Sequence, residues 1–106
     1  MTDEKVIRNA VRELSLVLAE TTDPREIEDF LHSILTKTEV RAIGTRWTLV
    51  KEIDGGVTQR EIAKKYSLSL CKITRGSREL KKPDSPFKRM LEKIKRLSRE
   101  NPRENG

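Results

Sequence analysis

The sequence has few of the residues that small reactive centres are built from. Cys71 is the only cysteine, so no intramolecular disulfide and no thiolate metal site can form. His32 is the only histidine, which rules out a histidine cluster and leaves a surface or capping role. Ser15, Ser33 and Ser98 have no base near them, and no paired carboxylates, triad or metal-ligand spacing appears, so an enzyme is not expected. No apolar run approaches the ~20 residues that a membrane span needs. The opening Met-Thr-Asp-Glu-Lys is charged and has no signal-peptide core. A cytoplasmic location with no membrane partner is the expectation. Apolar residues are also scarce, at 34% against 38% charged. A single domain of 106 residues buries a modest share of its surface. With so few apolar residues spread over several helices, a second copy is expected to complete the burial, giving a homodimer.

Basic charge is what the sequence does have, and it is unevenly spread. Residues 1–53 carry 8 Lys/Arg and 10 Asp/Glu, whereas residues 54–106 carry 15 and 7. The halves net −2 and +8, which sum to the formal +6. A near-neutral front and a basic back read as a scaffold followed by a polyanion-binding face. Plain solvation of helix surfaces by Lys and Arg is the alternative.

The apolar periodicity is helical almost throughout, without strand alternation, internal repeat or low-complexity segment. Ile7, Val11, Leu14 and Leu18 form one stripe, widened by Val6, Ala10 and Val17. Asp23-Pro24-Arg25-Glu26 supplies an N-cap and a first-turn proline for a helix with Ile27, Phe30, Leu31 and Ile34. Thr36 and Glu39 have capping-box spacing, and the helix from Lys37 shows Val40, Ile43, Trp47, Val50 and Ile53 on one stripe until Gly55-Gly56. Thr58 and Glu61 repeat that spacing for a short helix through about Lys65. After Ser67-Leu68-Ser69, Leu70 to about Leu80 reads as another helix, stopped by Pro83. Ser85-Pro86 opens a sixth, with Phe87, Met90, Leu91, Ile94 and Leu97. Beyond Glu100 the tail has nothing to bury and is expected to be disordered.

Residues 58–80 have the layout of a helix-turn-helix. A short capped helix, a tight turn and a second helix share a small core of Ile62, Tyr66, Leu70 and Ile73, with Ala63 where the helices approach. The outward positions Lys64, Lys65, Ser69, Lys72, Thr74 and Arg78 are polar or cationic. In such a unit the second helix enters the major groove of double-stranded DNA and the first crosses the backbone. The candidate DNA-contacting set is Gln59, Arg60, Lys64, Ser69, Leu70, Cys71, Lys72, Thr74, Arg78 and Lys81. Ordinary antiparallel helices with a basic surface are the alternative.

Glycine inside a helix costs about 1 kcal/mol relative to alanine. Gly44 nonetheless lies in Ile43-Gly44-Thr45-Arg46, and Gly76 in Thr74-Arg75-Gly76-Ser77. Close helix packing explains such glycines; so does a flat ligand on bare backbone, with arginine gripping a carboxylate or stacking on a ring. Leu35-Thr36, Glu39, Ala42-Ile43-Gly44-Thr45-Arg46, Gln59-Arg60-Glu61 and Ile73-Thr74-Arg75-Gly76-Ser77 together resemble the Trp repressor family, in order and at nearly its intervals. The likeness runs from about Leu35 to Lys81, and Ile-Thr-Arg-Gly-Ser is its most specific part.

The resemblance implies an all-α, six-helix intertwined homodimer with mobile helix-turn-helix heads. It also implies repression of palindromic operator DNA with L-tryptophan as corepressor, and no other cofactor. The residues it implicates in holding tryptophan are Arg46 and Arg75 around the indole, and Arg75 with Thr36 toward the carboxylate. Gly76 would lie beneath the ring, and carbonyls near Leu35 would take up the ammonium. Glu79 replaces a family serine near the ammonium, where a carboxylate either pairs with that group or repels the ligand's own carboxylate. The loop Gly55-Gly56-Val57 is one residue shorter, Ser67 and Ser69 stand where the turn has glycines, and Trp47 replaces a smaller apolar residue. Two further readings stay open: a regulator of the same fold that ignores tryptophan, and a helical adaptor docking on an acidic protein.

Overall fold

A computed structural model describes residues 3–100. Its six helices are α1 (Glu4–Glu20), α2 (Pro24–Ile34), α3 (Lys37–Asp54), α4 (Gln59–Tyr66), α5 (Leu70–Lys81) and α6 (Pro86–Glu100). Among the described residues there is no strand, in line with the all-α expectation. The expected disorder beyond Glu100 lies outside the described residues. Internal contacts divide the chain into two units that meet within α3, between Arg41 and Ala42.

In the first unit each helix begins on a side chain that satisfies an orphan backbone donor. Asp3 Oδ1 accepts from Lys5 N at 3.3 Å, and Asp23 Oδ1 accepts from Arg25 N at 3.0 Å ahead of Pro24. The capping box at α3 forms in both directions: Thr36 Oγ1 accepts from Glu39 N at 3.1 Å, and Glu39 Oε1 from Thr36 N at 2.8 Å. Caps fix where these helices start, but burial is slight. No residue of α1 or α2 is buried. Leu14, Leu18, Ile27 and Phe30 are half-buried around a cavity of about 110 Å³. Val6, Ile7, Val11 and Val17 of the expected stripe are exposed.

The second unit has the core. Leu49 and Val50 of α3, Ile62 of α4, Ile73 of α5 and Leu91 of α6 are buried together. Trp47, Ile53, Tyr66, Leu80, Phe87 and Ile94 pack around them. α3 ends at a glycine for a conformational reason: Gly56 has φ 95°, a left-handed setting that glycine adopts without strain. Val57 N then donates to Glu52 O at 3.0 Å and Gly56 N to Ile53 O at 3.1 Å, closing the end as a Schellman motif. Ser67 caps α4 in the same left-handed region, at φ 53°.

Several contacts tie α3 to the helices after it. Gly76 is buried on α5, and a Cβ there would lie 2.8 Å from Val50 Cγ2 and 2.9 Å from Leu49 Cδ1. The absence of a side chain therefore lets α3 and α5 touch. Trp47 stacks on Phe87 of α6, with ring centroids 5.6 Å apart and planes 16° from parallel. Asp54 has only 5% of its side chain exposed and accepts from Lys88 Nζ at 2.6 Å and Lys95 Nζ at 2.7 Å. At the C-terminal end of α3 that carboxylate meets the negative end of the helix dipole, and two lysines of α6 offset it.

Besides Leu31 and Ile34 of α2 and the α1 residues above, which are exposed, the sequence expectation differs from the structure at three apolar stripes of the second unit. Leu70 was expected in the helix-turn-helix core, but it is 60% exposed as the first residue of α5. Ile73, three residues on, is buried as expected. Ile43 on α3, and Met90 and Leu97 on α6, are also exposed within the chain.

The hydrogen bonds from Lys88, then Lys95, hold the Asp54 carboxyl below its ordinary range. A lowered folded-state pKa makes this contribution full above about pH 4 and lost as pH falls through the folded value. Asp54→Asn should lower Tm by about 5 °C at neutral pH, with the gap narrowing as pH falls below the ordinary aspartate range in thermal melts followed by circular dichroism. Gly76→Ala should cost about 1–3 kcal/mol in urea unfolding, because both facing side chains are buried and must shift. Ser67→Gly should gain up to about 1 kcal/mol in the same measurement, by relieving the left-handed serine against the extra freedom of the unfolded chain.

Candidate nucleic-acid interface

The reading unit is built from α4 and α5, which pack on each other through Ile62, Ile73 and the half-buried Ala63, Tyr66 and Leu68. Thr58 Oγ1 accepts from Glu61 N at 3.2 Å to start α4. Leu68 N donates to Ala63 O at 3.2 Å as the chain turns through Ser67. Ser69 Oγ accepts from Lys72 N at 3.5 Å, a long bond that opens α5. The serines thus do the work of a turn: one takes the left-handed setting and the next caps the second helix.

Helical geometry then sorts α5 into two sides. Ile73, Gly76, Ser77 and Leu80 face inward, the first three buried. At 3.6 residues per turn the opposite stripe is Cys71, Thr74, Arg75 and Arg78, and all four are exposed. Leu70, Lys72 and Lys81 flank it, and Arg60 and Lys64 are exposed on α4; Gln59, the first residue of α4, is half-buried. The ten sequence candidates therefore belong to one two-helix element, and nine of them are exposed. Between Thr58 and Lys82 stand Arg60, Lys64, Lys65, Lys72, Arg75, Arg78, Lys81 and Lys82 against Glu61 and Glu79. Such a face attracts a polyanion and repels a second basic surface.

Not every cation here is free. Lys65 Nζ pairs with Glu52 Oε1 at 2.8 Å and lies 5.3 Å from the Tyr66 ring centroid. The bond to Glu52 raises the Lys65 pKa, and the same bond lowers that of Glu52. Lys65 thus fastens α4 to α3 rather than pointing at a groove. Sequence reasoning placed it among the outward cations because a partner 13 residues away leaves no local signature.

For the residues linked to a ligand, the structure gives mixed positions. Arg46 is exposed on α3, three and four residues before Leu49 and Val50, which makes it their neighbour on one helix face. Those two side chains are the ones against Gly76, and Arg75 adjoins Gly76 on the exposed side of α5. Both arginines therefore flank the α3–α5 contact, and neither has an ion pair among the described residues. Glu79, one turn after Arg75, bonds through Oε1 to Lys82 Nζ at 2.9 Å. Packing against α3 already accounts for Gly76. Gly44, two residues from Arg46, lies on a different face, with nothing within 4 Å of where its Cβ would be. The two glycines thus have unlike surroundings. Leu35 and Thr36 belong to the first unit, where Thr36 caps α3 and Leu35 follows α2.

Among the described residues no group of three or more His, Cys, Asp or Glu is placed to hold a metal ion. Cys71 is a free, exposed thiol on the outer stripe of α5. No helix of the described residues is long and apolar enough to cross a membrane.

Comparison with known proteins agrees with this geometry. The family model described as Trp repressor protein matches residues 9–95. A Trp operon repressor homolog of Chlamydia trachomatis serovar D is 38% identical over 68 residues, covering 63% of this chain and 72% of its own. A Trp operon repressor homolog of Chlamydia caviae is 39% identical over 74 residues, covering 69% and 73%. No solved structure matches the chain. Because the family match takes in all of α2 to α5 and most of α1 and α6, the chain belongs to the Trp repressor family.

Proposed function

We propose that this protein is a tryptophan-dependent transcriptional repressor, acting in the cytoplasm as a homodimer on palindromic operator DNA. As a member of the Trp repressor family it is a transcriptional regulator. The observation that carries the reading is the exposed stripe of α5, from Cys71 to Arg78, set on a buried anchor of Ile73 and Gly76 and edged by cations of both helices. An outward polar stripe on a firmly seated helix is what reading base edges in a major groove requires. The cations around it supply the contacts to phosphate that fix register.

The dimer is supported by α1 and α2, whose apolar side chains find little cover in one chain. Two reading helices of a dimer must lie about one DNA turn apart, roughly 34 Å, a spacing general to helix-turn-helix dimers, Trp repressors included. Tryptophan beside Arg46 and Arg75 would favour one setting of α5 against α3 and so raise the fraction of dimers able to span two grooves. A ligand acts this way only through unequal affinity for the two settings, and arginines on both helices of one contact provide that inequality.

A second reading, a regulator of the same fold indifferent to tryptophan, is favoured by one observation. Gly76 and Glu79 each already have an account without a ligand, in α3 packing and in Lys82. An operator gel shift with and without L-tryptophan separates the two: a shift that needs tryptophan supports corepression, and an equal shift in its absence supports the second reading. In the same assay Arg75→Ala should lose at least tenfold of the tryptophan response while the dimer stays folded, since a bidentate, charge-assisted grip is worth more than a neutral bond. Lys72→Ala should weaken operator binding and leave tryptophan uptake, measured by equilibrium dialysis, unchanged.

A further inference from the structure

The helix-turn-helix does not hold all the unpaired cations of the second unit. α6 has six Lys or Arg residues against two Glu, and the structure divides them. Leu91 is buried, Phe87 stacks on Trp47, and Ile94 and Ser98 are half-buried, which fixes the rotation of the helix. Arg89 pairs with Asp84 at 2.7 Å. Lys88 and Lys95, two turns apart on one edge, both reach the Asp54 carboxylate. Arg99 continues that edge one turn on, and Arg96 stands beside it. Both arginines are exposed and have no ion pair among the described residues.

Asp54 shows where this edge lies. It is the last residue of α3, and Thr58, four residues later, caps α4. The two lysines therefore bring the edge of α6 to the turn that opens α4, whose first turn carries the exposed Arg60. Like charges three and four residues apart weaken a helix, and Lys95, Arg96 and Arg99 are crowded in that way. Glu92, three and four residues before Lys95 and Arg96, pairs with neither. The helix dipole favours a cation in the last turn, which accounts for Arg99 alone. A polyanion laid along the edge offsets the repulsion that remains.

We propose that Arg96 and Arg99 form a second contact with the phosphate backbone of duplex DNA, beside the start of α4 and outside the groove that α5 reads. The proposal rests on the DNA-binding part of the preceding reading and is independent of tryptophan. In a helix-turn-helix the first helix crosses the backbone, so a cationic edge adjoining its start meets phosphates rather than bases. Such contacts carry no sequence information and add to operator and unrelated duplex alike.

Fluorescence anisotropy of the full chain with a labelled duplex of random sequence, between about 50 and 200 mM salt, tests this. For Arg96→Gln/Arg99→Gln the fold-loss of affinity across that range should be about tenfold smaller than for the wild type, because about two phosphate contacts and their released counter-ions are gone. Arg96→Lys/Arg99→Lys should keep the wild-type salt dependence, since counter-ion release follows charge. Arg8→Gln/Arg12→Gln, which removes the same charge from α1 in the first unit, should keep it too. An unchanged helical circular dichroism signal verifies that each variant is folded. A glutamine variant of α6 with the wild-type salt dependence overturns the proposal. An equal change in the α1 variant also overturns it, by making net charge the cause. Loss of cosedimentation with phosphatidylserine–phosphatidylcholine vesicles, with duplex binding intact, overturns it in favour of a membrane surface. A wild type that binds no duplex at any salt overturns the DNA reading itself, and this proposal with it.

Discussion

The contact of α5 with α3 at Gly76 governs the rest of the second unit. With Val50 Cγ2 and Leu49 Cδ1 within 3 Å of where a Cβ would stand, only glycine lets the helices meet at this depth. Once they do, the rotation of α5 about its axis is fixed. Ile73 and Leu80 turn into the core, and Cys71, Thr74, Arg75 and Arg78 turn out. Helix packing and surface chemistry are therefore one constraint seen from two sides. The same contact sets Arg46 and Arg75 on its rim, which is why a ligand held there would act on the attitude of the reading helix.

Electrostatics follows the same division. A unit this basic repels itself, and the structure uses acidic groups of α3 to absorb part of that charge away from the reading face. Asp54 takes Lys88 and Lys95, Glu52 takes Lys65, and the α5 carboxylate of Glu79 takes Lys82. Arg60, Lys64, Lys72, Arg75, Arg78 and Lys81 are left without ion pairs among the described residues. Net charge alone would have spread the cations indiscriminately. Pairing sorts them into those that hold helices together and those that remain available to phosphate.

What was readable in the sequence is what local chemistry decides. Asp23, Thr36, Thr58 and the Gly55-Gly56 break announce helix ends, since caps and left-handed turns involve residues within five of one another. The exposed stripe of α5 also follows from periodicity, given that Ile73 faces in. The misjudged Leu70 shows the limit of that method. It shares the spacing of a core residue, but at the first turn of α5 nothing covers it, and periodicity does not report cover. Asp54 was not singled out at all, because its partners lie 34 and 41 residues along the chain. Trp47 was legible as an unusual large side chain but not as the partner of Phe87. The two glycines read alike and proved different: Gly76 sits against α3, whereas Gly44 is open.

The first unit poses the opposite situation to the second. Its helices start where their caps dictate, so local signals are strong, yet α1 and α2 bury no residue completely. A single uncovered leucine is ordinary on a protein surface. A helix whose apolar side is uncovered at Val6, Ile7, Val11 and Val17 is not, because in water most helix stability comes from packing that side against something. Caps are worth about 1 kcal/mol each, too little to replace that packing over 17 residues of α1. The second unit has no comparable deficit, with five apolar side chains buried from four helices. The two halves thus differ in what stabilises them: the reading unit buries an apolar core within its own chain, and α1 carries an apolar face that the described residues leave uncovered.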